Sequence, residues 1–105
     1  MLRQVVPTEV ASADLRAAKV WLRQPGAGGA AKARLRHIRD SIRQLKLMPC
    51  LWAFGDHPGI REIHVEGYTI FYEVTPDTGD NATSGDVLIL RVYGPHMEPS
   101  QFLQR

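Results

Sequence analysis

The stretch at residues 59–74, GIREIHVEGYTIFYEV, limits most sharply what this chain can become. Ile63, Val65, Ile70, Tyr72 and Val74 alternate with polar residues around Glu66-Gly67. A period of two, interrupted by a glycine able to take a positive φ, is the pattern of an antiparallel hairpin with one buried face. Residues 87–93, VLILRVY, are apolar enough for a third, central strand. Leu2 to Val6 alternates too and reads as a short edge strand, which Pro7 ends by withdrawing a ladder donor. The spacing leaves open which edge that strand joins. A sheet of this kind has one apolar face, and another layer must cover it.

Residues 8–47 supply the cover. Thr8 or Ser12 can cap a first helix whose inward positions are Leu15, Ala18 and Leu22, with Trp21 widening the apolar stripe. Pro25-Gly26-Ala27-Gly28-Gly29 breaks it. A second helix is predicted from near Ala30 to about Leu47, burying Ala31, Leu35, Ile38, Ile42 and Leu45. Its other positions carry Lys32, Arg34, Arg36, Arg39, Arg43 and Lys46, a surface suited to solvent, to nucleic acid or to an acidic partner. The aromatics of residues 49–55, PCLWAFG, are expected to plug the end of the core. Residues 76–86, PDTGDNATSGD, form a long polar connection expected to be mobile. The predicted fold is α+β: a helical hairpin packed on one face of a small, mainly antiparallel sheet of three or four strands. Residues 1–105 are expected to make one domain.

The net charge of +2 conceals a division. Residues 1–48 hold ten Lys/Arg against three Asp/Glu, whereas residues 49–105 hold three against eight. The helical half is therefore basic and the strand half acidic. A site that cleaves RNA needs positive potential where the phosphate sits, so the division weighs against cleavage by the strands. One cysteine, Cys50, excludes an internal disulfide and fits a reducing cytosol; its expected role is that of a small buried hydrophobe. No apolar run approaches the length of a membrane span and no signal-peptide core is evident, so a cytoplasmic location is expected.

In order and spacing the chain resembles the RelE/ParE superfamily, the toxin halves of bacterial toxin–antitoxin pairs. The matching residues are Ala13-Asp14-Leu15 in the first helix, then Ile38 to Leu45 and Pro49 closing the second. They continue with Gly59-Ile60-Arg61-Glu62-Ile63, Gly67-Tyr68-Thr69-Ile70-Phe71-Tyr72-Glu73-Val74 and Ile89-Leu90-Arg91-Val92. Trp21-Leu22 and the arginine-rich second helix look more like the ParE branch, which is associated with poisoning DNA gyrase. The RelE branch cleaves messenger RNA in the ribosome with basic residues on the sheet. Where that branch has an arginine after Gly-Tyr this chain has Thr69, and after the last strand it has Pro95-His96-Met97 in place of Arg or Lys. The resemblance implies a growth-inhibiting toxin of a plasmid or chromosome stabilisation module, neutralised by a cognate antitoxin. Operator DNA would be bound only through that antitoxin. The target would be DNA gyrase, or alternatively the ribosome and its messenger RNA; a degenerate, non-toxic member is the third reading.

Two sets of site residues follow. For target docking they are Arg36, Arg39 and Arg43 on the second helix, with Tyr93. For a metal-independent ribonuclease they are Arg61 and Arg91 as phosphate holders and His64 and His96 as proton carriers. Alternation puts Glu62, His64, Glu66, Thr69, Phe71 and Glu73 on the face away from the helices, joined by Arg91 and Tyr93, with Leu88, Leu90 and Val92 inside. There His64 is expected to pair with a glutamate. His57 reads as a loop residue and His37 as solvated. Cys50, His57 and His64 lack ligand spacing, so no metal or cofactor is expected.

Overall fold

The computed structural model describes residues 2–26, 28–95 and 97. The elements run β1 (Val5–Pro7), α1 (Glu9–Leu22), α2 (Gly28–Gln44), β2 (Arg61–Val65), β3 (Tyr68–Thr75) and β4 (Asp86–Tyr93). The sheet order is β1-β4-β3-β2, with β1 parallel to β4 and the other pairs antiparallel. The edge strand thus joins β4, and both helices lie in the crossover that a parallel pair demands.

The hairpin closes on two successive positive φ angles, 52° at Glu66 and 80° at Gly67. That is the two-residue turn whose twist matches the strands it joins. Glu66 occupies the left-handed region at a cost of about 1 kcal/mol. Its carbonyl accepts from Arg34 Nη2 of α2 at 3.2 Å, so the turn is also held against the helical layer.

Strand β4 departs from strict alternation. Phe71 pairs with Arg91 but Tyr72 pairs with Ile89, so Leu90 is an extra residue, a β-bulge. One residue of shift exchanges the faces. Val87 and Ile89 therefore face the core beside Val92, and Leu88 and Leu90 are only half-buried, contrary to the expectation that both lie inside. Thr8 stabilises the irregularity. Its N–H donates to the Ile89 carbonyl at 2.9 Å and its hydroxyl to the Leu90 carbonyl at 3.1 Å. The same Oγ1 accepts from Ala11 N–H at 3.0 Å, capping α1.

Helix α1 buries Ala11, Asp14, Ala18 and Leu22, at steps of three and four. Trp21, expected to widen that stripe, is 44% exposed and lines a hollow with Ala31 and Arg34 of α2. Helix α2 buries Ala31, Leu35, Ile38 and Ser41, and Leu45 follows in the turn beyond it. Ile42 flanks this face and is only half-buried. Ser41 is tolerated inside because its hydroxyl donates to the His37 carbonyl at 2.9 Å. Trp52 packs on the core as expected, but Phe54 is 51% exposed.

The connection at 76–86, expected to be mobile, is held by its own polar residues and by Arg3. Asp77 accepts from Gly79 N–H at 3.0 Å and Asp80 from Ala82 N–H at 2.7 Å, turns that these side chains favour. Arg3 is buried and donates to four carbonyls: Lys46 and Asn81 at 2.6 Å, Ser84 at 2.8 Å and Gly85 at 2.9 Å. One guanidinium thereby joins the N-terminus, the end of the second helical segment and the connection before β4. Charge-assisted bonds to a buried group are among the stronger polar contributions. Arg3→Ala is expected to lower unfolding stability by about 3 kcal/mol. Arg3→Lys should recover little, since one ammonium cannot span four carbonyls. Urea unfolding of the three proteins checks this.

Candidate functional site

Strand register decides which candidate side chains share a surface. Glu62, Phe71 and Arg91 form one row across β2, β3 and β4, and His64, Thr69 and Tyr93 form the next. These rows belong to the face away from the helices. Arg61 does not share it: it pairs with Tyr72, on the core side. His96 lies outside the described residues.

Arg61 is almost enclosed, with 7% of its side chain exposed. Its Nε and Nη2 reach the two carboxylate oxygens of Asp77 at 2.8 and 2.9 Å, and Nη1 donates to the Trp52 carbonyl at 2.6 Å. The Phe54 ring stacks on the guanidinium at 4.0 Å, which explains an aromatic placed outside the core. The bond to Asp77 raises the Arg61 pKa, and the bond to Arg61 holds the Asp77 carboxyl below its usual range. Beside them, burial pushes the Tyr72 phenol well upward, and its hydroxyl donates to the Pro49 carbonyl at 2.7 Å. Cys50 belongs to the same group. Its Sγ is 3.2 Å from the Ser84 hydroxyl and 3.7 Å from Asp77 Oδ1, so it is a hydrogen-bonded thiol and not simply a small hydrophobe.

Arg91 is committed differently. Its Nε and Nη2 lie 2.8 and 3.2 Å from the Asp14 carboxylate, and only 8% of the Asp14 side chain is exposed. The same carboxylate accepts the Val92 N–H at 2.9 Å. Strand β1 pairs with β4 only as far as Ile89, and beyond that point Asp14 of α1 takes over one backbone donor of the uncovered edge.

His64 is the exposed member of the open face. Its Nε2 is 3.4 Å from Glu62 and its Nδ1 3.3 Å from the Thr69 hydroxyl. Glu62 in turn folds over Gly55, where a Cβ would collide with the carboxylate. Phe71, on the same face, is 1% exposed, and His57 meets it edge-on with ring centroids 6.0 Å apart. His57 is thus a packing residue within its loop. His37 reaches Glu66 at 3.5 Å while remaining largely exposed. Tyr93 donates its hydroxyl to the Met97 carbonyl at 3.2 Å. Among the described residues no three His, Cys, Asp or Glu side chains converge as a metal site would require.

The three arginines expected to dock a target lie side by side. Arg36, Arg39 and Arg43 line a shallow groove of about 400 Å³ on α2, with Arg23, Lys32, Leu35 and Asp40. The sheet separates them from Tyr93, so the four expected docking residues divide between two sides of the molecule. Sequence reasoning missed Arg3, Asp14 and Arg23. Nothing in a linear pattern marks an Arg or Asp for burial; only the approach of distant segments does.

The comparisons with known proteins agree with this architecture. The model of the ParE toxin of the type II toxin–antitoxin system parDE matches residues 5–97. A solved structure of a chromosomal ParDE toxin–antitoxin system from P. aeruginosa shares the fold, with a TM-score of 0.63 and 21% identity over 89% of this chain and 96% of that one. No curated protein gives a match.

The Arg61–Asp77 pair has a pH signature. A carboxyl whose folded pKa lies below its ordinary 3.8 contributes stability that is fully present above that value and is lost as pH falls through the folded pKa. Asp77→Asn leaves a buried guanidinium without its counter-charge and should cost about 3 kcal/mol near pH 7. The gap between wild type and variant should stay constant down to about pH 5 and narrow below about pH 4. Urea unfolding across that range reads it directly.

Proposed function

We propose, from the premise that this chain belongs to the ParE toxin family of type II toxin–antitoxin systems, that it arrests growth by docking on DNA gyrase and that a cognate antitoxin neutralises it. The observation that carries the reading is the commitment of both strand-borne arginines to carboxylates, Arg61 to Asp77 and Arg91 to Asp14. Ribonuclease chemistry needs cations free to meet a phosphate that grows more negative in the transition state. On the open face the exposed His64 stands beside Glu62, and Glu73 adds another carboxylate. Most of the exposed positive charge lies instead on the outer side of α2, away from the strands.

The antitoxin has a suitable groove at the free edge of β1. Val5, Val6 and Ile42 form an apolar floor within about 650 Å³, and Arg43 and Lys46 stand at its border. An extended antitoxin segment with apolar side chains and flanking carboxylates would match both features and could add a strand to the sheet. Among the described residues no helix is long and apolar enough to cross a membrane.

Purified protein at micromolar excess should inhibit gyrase supercoiling and trap cleavage complexes, and the product of the neighbouring small gene should co-purify with it and reverse both effects. Unchanged supercoiling and unchanged cleavage would rule out gyrase as the target. Failure to co-purify would remove the antitoxin arm.

A further inference from the structure

The geometry points to a nucleic-acid binding site on the chain itself: the outer face of α2, with the end of α1, binds the phosphate backbone of a duplex directly. This goes beyond the gyrase reading and does not depend on it. Lys32, Arg36, Arg39 and Arg43 follow one another at steps of four, three and four, which sets them along one side of the helix. At 1.5 Å per residue they span roughly 16 Å, close to five phosphate steps along one strand of a duplex. Arg23 extends the row across the helical hairpin, sharing a second hollow with Lys32, Leu22, Gln24 and Gly28.

The lining chemistry selects the ligand. Of the five cations four are arginines, whose planar forks match phosphate oxygens. All five are exposed. Asp40 is the acid lining the groove, and its contact with Arg43 is long, 3.4 Å, between two exposed side chains, so little of the positive potential is cancelled. The row also offers no apolar anchor. Leu35, at its floor, is 3% exposed, whereas a protein partner needs a desolvated apolar centre to its interface. No aromatic side chain lines either hollow, and single strands are held largely by stacking on such rings. What remains is a ladder of charge at the right length for a duplex backbone. Such contacts position a protein without reading sequence.

The test uses the purified full chain without gyrase or antitoxin, so its outcome is separate from that of the gyrase assay. Fluorescence anisotropy would follow binding to a 20-base-pair DNA duplex, the equivalent RNA duplex, a single strand and poly-glutamate from 25 to 200 mM NaCl. Five neutralised phosphates give a slope of log K against log[salt] of about −4 to −5 on the DNA duplex. Arg36→Gln/Arg39→Gln/Arg43→Gln should reduce that slope to about −2 and weaken binding at least tenfold at low salt, with an unchanged thermal melt. The RNA arm tells whether the site accepts both duplexes or prefers the DNA form. A slope near zero on both duplexes overturns the proposal. So does a folded triple variant that binds like wild type, or a preference for poly-glutamate or the single strand.

Discussion

A single buried carboxylate holds the two layers of this protein in register. Asp14, on the inner side of α1, accepts from Nε and Nη2 of Arg91 and from the backbone N–H of Val92. An ion pair taken out of water is tolerable only when geometry is good and the remaining lone pairs are satisfied, and here three donors converge. Its position follows from the shortness of β1. Pro7 ends that strand opposite Ile89, which leaves the far part of β4 without a strand partner on that side. Thr8 and Asp14 meet that edge instead, one on the bulge at Leu90 and the other just beyond it. Slide α1 along β4 and both connections fail together.

This arrangement explains where sequence reasoning succeeded. The hairpin turn, both helices and the inward face of β2 and β3 were legible because they follow from local periodicity and turn chemistry. Ile63, Ile70 and Tyr72 are buried for the reason that their alternation implies. The bulge was not legible, because VLILRVY is apolar at both phases and no alternation could reveal the slip; only pairing with β3 and the hydroxyl of Thr8 fix it. Arg3 and Asp14 were not legible as buried groups, since their partners lie far away along the chain. The loop at 76–86 misled by composition. Its Asp, Thr and Ser residues bond their own backbone and one another, so polarity there marks a built turn and not freedom.

The shared, exposed placement of the α2 arginines was legible from helical spacing alone, because exposed positions depend little on tertiary contact. The strand arginines were not, since their roles depend on which carboxylate arrives beside them. Asp77 comes from the connection after β3 and Asp14 from the first helix. The division between a basic and an acidic half acquires a structural meaning here. Of the two described arginines of the strand half, Arg61 is answered from within it by Asp77 and Arg91 from the helical half by Asp14, while Arg23, Lys32, Arg36, Arg39 and Arg43 of the helical half face outward.

The arginines a nuclease would need are locked in place by Asp77 and Asp14. Primer extension on messenger RNA in a purified translating system, with the wild-type protein added, tests it most directly. With both arginines held, the message is expected to stay unbroken at every codon. Breaks in the ribosomal A site that disappear with His64→Ala in a normally folded protein would contradict it.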